Sequence, residues 1–408
     1  MSWPSVRLGE HLVKLGSGVT PRGGDSVYVP EGTALIRSQN VYNNRFHNNG
    51  LAYISAAQAE KMKGVTVNAG DILLNITGDS VARCCGVPED VLPARVNQHV
   101  MIIRPCPGSF DPSYLIYQLT GPFFQSTLLS IAGSGGTRKA LTKAMIERLE
   151  MPKPEIGEQR RIAAILSAYD DLIENNRRRI ALLEEAARQL YKEWFVRFRF
   201  PGYEHVELVD GVPAGWERQA IGEVADDISY GYTASADANI DGPKFLRITD
   251  IVKGQISWPD VPRCPIDERK AARFALVPGD VVVARTGATT GWARRIGRVR
   301  EPAVFASYLV RFRFTDLINP TLAAIFMESE SYKAMVWAGI GGSAQPNASA
   351  QLLAKPKLLV PPQQLQEAFA REVGAGQLLI DVLMEQIHGL SRARDLLLPR
   401  LMNGAITV

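Results

Sequence analysis

The sequence from residue 158 to residue 195 reads EQRRIAAILSAYDDLIENNRRRIALLEEAARQLYKEWF. Its apolar positions recur at alternating steps of four and three residues, which is the heptad seam of a coiled-coil helix. The stretch therefore predicts one long helix that pairs with another helix along this seam. The seam positions are Ile162, Leu166, Tyr169, Ile173, Asn176, Ile180, Leu183, Ala187, Leu190 and Trp194.

A second seam with the same alternation lies near the C-terminal end. Two seams in one chain are expected to pair with each other, with Asn176 fixing the register at some cost in stability. The second seam consists of Phe369, Val373, Gly376, Ile380, Leu383, Ile387, Leu390, Arg394, Leu397 and Leu401.

The rest of the chain also contains an internal sequence repeat. Gly70-Asp71 followed by Thr77-Gly78 returns as Gly279-Asp280 followed by Thr286-Gly287, and Asp111-Pro112 returns as Asn319-Pro320. Leu8-Gly9-Glu10, residues 35–41 and Gly135-Gly136-Thr137 have counterparts at similar offsets. Such a steady separation, between 206 and 213 residues, indicates an internal duplication.

Each copy consists of a globular part followed by a seam helix. The globular parts combine short strand-like runs, turn residues and helical patches, such as Pro112 to Leu129 with Asp111 as its N-cap. The predicted fold class is α+β: two mixed α/β domains separated by two long antiparallel coiled-coil helices, with a pseudo-twofold repeat. The predicted boundaries are 1–154, 155–200, 201–362 and 363–408.

Composition sets few limits on function. Lys and Arg outnumber Asp and Glu by 46 to 42, which only slightly favours a polyanionic partner. Cys84, Cys85, Cys106 and Cys264 form no CxxC pair, so we expect no disulfide framework and no metal site. We see no signal-peptide core and no apolar run that could span a bilayer, so we expect a cytoplasmic protein.

The helices carry motifs of a known family. Residues 158–167, Asp170-Asp171-Leu172-Ile173 and residues 189–195 closely resemble the central conserved helix of type I restriction-modification specificity subunits. Val360-Pro361-Pro362 and residues 396–404 resemble the distal region of that family. Ala368 stands where the first copy has Gln159, so we expect a weaker start to the second helix.

The resemblance implies a non-catalytic subunit with two target-recognition domains, each reading one half of a bipartite, asymmetric site on double-stranded DNA. It implies two methyltransferase subunits docked on the helices, and restriction/translocase subunits that join them. No cofactor is expected in this chain, because S-adenosylmethionine, Mg²⁺ and ATP would be bound by those partners. The residues expected at the partner-binding helices are Tyr169, Ile173, Asn176, Ile180, Leu183, Ile380, Leu383, Ile387 and Leu390.

Polar loops of both copies are the candidate DNA-reading segments. Arg can bind guanine bidentately, and Asn or Gln can do so with adenine, while Thr, Lys and glycine-rich loops suit phosphate contacts. Asn-rich loops are also ordinary turns, and the tyrosines could equally be core residues. The candidates are Thr20, Arg22, Arg37, Ser38, Gln39, Asn40, Asn43, Arg45, Thr77, Arg138, Lys139, Tyr230, Tyr232, Arg247, Thr249, Arg285, Thr286, Thr289, Arg294, Gln345 and Asn347.

Other functions remain as alternatives. Residues 111–114 resemble part of an amino-methyltransferase motif, but a helix cap explains both copies. Pro259-Asp260 followed by residues 268–270 resembles a nuclease pattern, but the first copy has no counterpart. No GxxxxGK[ST] phosphate loop is present. A coiled-coil adaptor that organises other proteins without touching DNA is the main alternative.

Overall fold

The computed structural model describes residues 3–21, 23–133, 139–252, 254–340 and 346–408. The chain divides into two compact units. The first unit comprises Met1–Ile173 together with Leu390–Val408, and the second comprises Glu174–Gly389. Each unit therefore includes part of both long helices. Within the described residues, no helix is both long enough and apolar enough to cross a membrane.

The first unit is built on two larger sheets and two pairs of short strands. Its strands are β1 (Ser5–Arg7), β2 (Leu12–Ser17), β3 (Tyr28–Val29), β4 (Thr33–Ile36), β5 (Val41–Tyr42), β6 (Arg45–Phe46), β7 (Ala52–Ile54), β8 (Thr66–Val67), β9 (Ile72–Asn75), β10 (Cys84–Gly86), β11 (Ala94–Val96), β12 (Val100–Pro105) and β13 (Glu150–Pro152). One sheet is antiparallel with the order β10-β9-β12-β2. The other has the order β3-β7-β4-β11-β8, in which β4 and β11 are parallel. Beside these sheets, β1 is paired to β13 and β5 is paired to β6.

Helices cover both sheets of the first unit. They are α1 (Ala56–Lys61), α2 (Pro112–Thr120), α3 (Pro122–Gly133), α4 (Lys143–Glu147) and the start of α5 (Ile156–Tyr191). Helix α1 packs on the five-stranded sheet, and the others pack on the antiparallel sheet. The predicted N-cap is confirmed, because the Asp111 carboxylate accepts a hydrogen bond from the backbone N–H of Tyr114 at 3.1 Å. The single helix predicted from Pro112 to Leu129 is wrong. Gly121 is extended (ψ 150°) because a residue that precedes a proline, here Pro122, avoids the helical region.

The second unit repeats this plan with fewer strands. Its strands are β14 (Leu208–Val209), β15 (Val212–Pro213), β16 (Glu217–Ala220), β17 (Ala225–Tyr230), β18 (Lys244–Leu246), β19 (Val281–Ala284), β20 (Ala293–Arg295), β21 (Ala303–Phe305), β22 (Leu309–Phe314) and β23 (Lys357–Val360). Its helices are α6 (Ile248–Ile251), α7 (Glu268–Arg273), α8 (Pro320–Met327), α9 (Glu330–Ile340), α10 (Ala350–Ala354) and α11 (Gln363–Met402), together with the end of α5.

The sheet order confirms the duplication. The second unit has an antiparallel sheet ordered β20-β19-β22-β17, which matches β10-β9-β12-β2 strand for strand, and β18 pairs with β21 in parallel as β4 does with β11. An ion pair with a buried carboxylate is also repeated. Arg104 donates to Asp71 at 2.6 Å in the first unit, and Arg313 donates to Asp280 at 2.8 Å in the second.

Antiparallel helix pairing is found within each unit. In the first unit, Ile162 and Leu166 near the start of α5 pack in one core with Leu398 and Leu401 near the end of α11. In the second unit, Ile180 of α5 contacts Ile380 and Leu383 of α11. Trp194, in the helical turn that follows α5, lies 5.7 Å from Phe369 of α11, measured between ring centroids. The predicted seam thus forms the core of the helix pair.

The expected difference between the two helix starts is wrong. Gln366, and not Ala368, is the counterpart of Gln159. Each of these two buried glutamines accepts a hydrogen bond from the backbone N–H before a helix, at Asp111 and Asn319 respectively. Each also donates to two carbonyls, one of them five residues earlier in the chain. The two helix starts are therefore fixed in the same way, each by its own buried glutamine.

Candidate nucleic-acid interface

Four polar segments of the first unit come together beside the ends of strands β4, β9 and β11. The backbone N–H of Asn97 donates to Ile36 O at 3.0 Å, and that of Ile76 donates to His99 O at 3.0 Å. Residue Gly78 donates to Lys139 O at 3.4 Å. These bonds join segments that are far apart in the sequence. We call the set the first loop cluster: residues 37–40, 76–83, 97–99 and 139–141.

The second unit contains the same arrangement. Ala306 donates from its backbone N–H to Leu246 O at 2.9 Å, and Arg285 donates likewise to Tyr308 O at 3.0 Å. The N–H of Gly287 donates to Pro346 O at 2.9 Å. Each of these bonds is the counterpart of one in the first unit. The second loop cluster comprises residues 247–250, 285–292, 306–308 and 346–348.

The first predicted reading segment, residues 37–40, is held by its own loop. Arg37 and Gln39 both donate to the carbonyl of Gly50, at 2.6 and 3.0 Å, and the Arg37 guanidinium lies 5.4 Å from the Tyr28 ring centroid. Gln39 remains exposed, whereas Asn40 is fully buried. The Asn40 amide accepts from Arg37 N and donates to His47 O, so it caps the loop. Asn40 is therefore withdrawn as a base-reading residue.

Other candidates of the first unit divide between the loop framework and the surface. The Asn43 amide bridges Gln125 and the backbone N–H of Cys84, at 3.3 and 3.0 Å, so it supports the β5–β6 hairpin. Half-buried Thr77 places its hydroxyl 2.6 Å from His99 Nδ1. Ser38 is half-buried as well. Thr20, Arg45 and Lys139 are exposed and remain candidates.

Arg285 is the centre of the exposed polar group in the second unit. Its guanidinium lies 4.8 Å from the centroid of the Tyr230 ring and donates to Asn347 Oδ1 at 2.9 Å. The Tyr230 hydroxyl accepts from the backbone N–H of Ala350 at 2.8 Å. Tyr230 and Asn347 are exposed, so the predicted residues form one surface group that can offer a cation, a phenol and an amide.

Arg247 is paired with a carboxylate that its counterpart, Arg37, lacks. It donates to both oxygens of Asp250, at 2.9 and 3.0 Å, and this hydrogen bonding raises the pKa of Arg247. The neighbouring Thr249 is exposed. Thr289 donates to Thr286 O at 3.3 Å, so these half-buried threonines also shape their turn. Arg247 can reach DNA only by sharing or leaving Asp250.

Two predicted residues of the second unit are half-buried and held by other side chains. Tyr232 stacks against Phe274, with 5.5 Å between ring centroids, and packs on a buried cluster. The Arg294 guanidinium is largely buried beside two carboxylates, Glu184 at 3.5 Å and Glu328 at 3.9 Å. Both assignments to DNA are corrected, because burial and ion pairing occupy these side chains. Arg22, Arg138 and Gln345 lie outside the described residues.

The sequence reasoning missed several surface residues at the loop clusters, of which Gln98 and Tyr308 are exposed and Arg83 is half-buried. In the first cluster, Arg83 lies over the ring of Tyr42, 4.6 Å from its centroid, and Gln98 lies beside His99. In the second, Tyr308 is 60% exposed. These residues follow short strands without a recognisable motif. Their one sequence signal was a position just before an apolar strand in both copies.

The seam residues predicted for partner binding face the chain's own paired helix. Ile173, Asn176, Ile180, Ile380 and Leu383 are buried, so their assignment to a partner subunit is corrected. Apolar seams are buried by the helix that pairs with them. Tyr169, Leu183, Ile387 and Leu390 are half-buried and complete the same seam. Exposed apolar side chains lie off the seam instead, at Leu182 and Leu378, each 70% exposed.

The described residues support neither a metal site nor a reactive thiol at Cys85. Within the described ranges, no group of three or more His, Cys, Asp or Glu side chains is arranged to bind a metal ion. The cysteines are free thiols, and burial raises the pKa of Cys85 to about 12. A buried thiol with such a pKa is a poor nucleophile at neutral pH.

Comparison with known proteins finds one family. A family model described as the type I restriction modification DNA specificity domain matches residues 4–185. The MjaVIII type I restriction enzyme specificity subunit of Methanocaldococcus jannaschii is 26% identical over 85% of this chain and 81% of its own length. The chain is thus similar to the type I restriction-modification specificity subunits. The comparisons thus confirm the recognition made from the helix motifs.

Further relatives extend the match over the whole chain. The putative MjaX specificity subunit of the same organism is 22% identical over all of this chain and 94% of the relative. The specificity subunit from M. genitalium has the same fold, with a TM-score of 0.60 at 15% identity, and the match covers 98% of this chain and 96% of that one. These relatives are specificity subunits, so the reading of a non-catalytic subunit is supported over that of an enzyme or adaptor.

Proposed function

We propose that this specificity subunit reads double-stranded DNA and that each unit recognises one half of a bipartite, asymmetric sequence. One observation carries the proposal: both units hold a loop cluster on the same backbone hydrogen bonds, but they display different side chains there. A common framework with variable polar tips suits the recognition of two different half-sites in one manner.

The chemistry of the exposed side chains and of half-buried Arg285 fits this division. The first cluster offers Gln39, Gln98 and Lys139, whereas the second offers Arg285, Asn347 and Tyr230. Gln and Asn amides match the adenine edge, Arg matches the guanine edge, and Lys neutralises phosphate. Because the two sets differ, the two half-sites are expected to differ in sequence.

The subunit is proposed to act within a larger complex in the cytoplasm. Two methyltransferase subunits would dock on the helices and supply S-adenosylmethionine, and restriction/translocase subunits with Mg²⁺ and ATP would join for cleavage. The exposed leucines at positions 182 and 378 provide apolar surface on helices α5 and α11 for such docking. Names of relatives as restriction-enzyme specificity subunits support this assembly.

A domain exchange tests the proposal. Residues 1–154 are replaced by the matching segment of a relative with a different target, and the complex with its methyltransferase subunits methylates a random DNA library. We expect one half-site to change and the other to stay. Change in both half-sites would contradict independent reading by the two units. The purified subunit alone, given S-adenosylmethionine and Mg²⁺, is expected to leave the DNA unmodified.

A further inference from the structure

Each loop cluster contains a tight turn with the same backbone. In the first unit the N–H of Val100 donates to Asn97 O at 3.2 Å, and in the second the N–H of Leu309 donates to Ala306 O at 2.8 Å. Both are four-residue turns that close an i to i+3 hydrogen bond. The central residues are Gln98-His99 in one turn and Ser307-Tyr308 in the other.

The backbone of each turn is held from several sides. In the first unit the backbone N–H of Asn97 donates to the end of β4, and the carbonyl of His99 accepts from the N–H that follows β9. In the second unit the backbone N–H of Ala306 donates to the end of β18, and the carbonyl of Tyr308 accepts from the N–H that follows β19. In each unit a glycine just after a further strand, β2 or β17, allows the chain to approach the turn closely. A Cβ on Gly18 would lie 1.9 Å from Val96 O, and one on Gly231 would lie 2.3 Å from Ala306 O. The turns are therefore rigid supports at equivalent positions.

The side chains at the turn tips are not explained by the turn itself. Turn chemistry favours Gly, Asn, Asp, Ser or Pro, and an aromatic ring that is 60% exposed, as in Tyr308, buries little apolar area. Gln98 is exposed too, and its amide lies 2.9 Å from His99 Nε2. The opposite ring nitrogen, Nδ1, lies 2.6 Å from the Thr77 hydroxyl. The imidazole is thus oriented between two polar neighbours at the surface.

We propose that these two turns are base-reading elements, with Gln98-His99 reading part of one half-site and Ser307-Tyr308 reading part of the other. This inference rests on the proposed function. A Gln amide can pair with the adenine edge, and a hydroxyl can serve as donor or acceptor to several bases. The fixed backbone gives both turns the same approach to DNA, and the side chains give each its own preference.

Reciprocal exchange of the turn tips tests this assignment. One variant carries Gln98→Ser with His99→Tyr, and the other carries Ser307→Gln with Tyr308→His. Each is assembled with the methyltransferase subunits, and methylation is mapped on a random DNA library. We expect a change of about tenfold or more in relative base preference at one or two positions of a single half-site. The other half-site is expected to remain as in the wild type.

Matched controls place similar changes outside the loop clusters. Gln58→Ser in α1 and Tyr203→His, at a tyrosine that is 44% exposed, should leave the sequence preference unaltered. If an exchange variant fails to fold, the single truncations Gln98→Ala and Tyr308→Ala replace it, because both side chains are exposed. They are expected to relax preference at the same positions.

Three results would overturn the inference. An active variant with unchanged preference would show that the turn does not read bases. A uniform loss of methylation on all sequences would assign the turn to phosphate contacts. If the wild-type complex itself showed no sequence preference, the proposed function would fail, and the inference with it. The last result is recognised from the wild type alone, so the two failures are distinguishable.

Discussion

The side-chain amide of Asn176 on α5 donates to the side-chain carbonyl of Gln386 on α11 at 3.1 Å. Asn176 is buried on the apolar seam, whereas Gln386 is exposed. A polar residue at such a position defines helix register at a cost in stability. The sequence predicted a register-fixing role for this asparagine, and the structure gives it a polar partner on α11.

Replacing Asn176 by Leu is expected to raise the melting temperature. The leucine adds apolar burial at the seam, and the exposed Gln386 can exchange its lost hydrogen bond for water. Thermal unfolding by circular dichroism measures the effect, with Gln386→Ala as the control that removes only the bond. A clear fall in melting temperature for Asn176→Leu would show that the amide is needed in a buried network.

The two repeated ion pairs, each with a buried carboxylate, are expected to stabilise the fold. Arg104→Met leaves the Asp71 carboxylate, 1% exposed, without its cation, and we expect a loss of about 3 kcal/mol of unfolding free energy. Arg313→Met should act in the same way on Asp280. The surface pair of Lys63 with Glu60 provides the control: Lys63→Met should cost less than about 1 kcal/mol. Chemical denaturation of each variant supplies the comparison, and equal losses would refute it.

Gly18 is expected to tolerate no side chain. Gly18→Ala places a Cβ against the carbonyl of Val96, so strand β2 must move away from the turn at residues 97–100. We expect weaker recognition of one half-site together with lower stability. Gly16→Ala on the same strand is the control, because a Cβ there has no heavy atom within 4 Å. DNA binding by the two variants should differ; similar binding would show that the close approach is unimportant.

Gln366 is expected to anchor the start of α11. Gln366→Ala removes the acceptor of the Asn319 N–H and the donor to two carbonyls, so about 1–3 kcal/mol of stability should be lost. Hydrogen exchange at Asn319 should accelerate. Exposed Gln363, one turn earlier, gives the control Gln363→Ala, which should have little effect. An unchanged exchange rate at Asn319 in Gln366→Ala would remove this role.

Lys139 and Gln39 are expected to affect DNA binding differently. Lys139 is exposed beside Gly78, and we expect Lys139→Ala to weaken binding on all sequences and to reduce the salt dependence by about one unit of slope. Gln39→Ala should instead relax preference at a single base position, by about 1–3 kcal/mol. Titrations at several salt concentrations on matched and mismatched sites separate the two behaviours. If both variants showed the same salt dependence and the same base preference, the two residues would not have different roles.

The sequence by itself determined the helix pair, the duplication and the helix caps. These features depend on local periodicity and on residues close in the chain, such as the heptad steps from Ile162 to Trp194 or the Asp111 carboxylate and the Tyr114 N–H. The end of helix α2 at Gly121 also has a local cause, the proline that follows it. The apolar pattern continues across this position and therefore suggested one helix.

The tertiary structure alone decided which polar residues face outward. Asn40 and Gln39 are neighbours in one polar segment, yet long-range packing buries the first and exposes the second. Arg294 looked like a surface cation until the fold placed it beside Glu184, 110 residues earlier in the chain. The turns that present Gln98 and Tyr308 are likewise fixed by backbone bonds to distant strands. Local sequence carries no record of such partners, because they meet only when the sheets form.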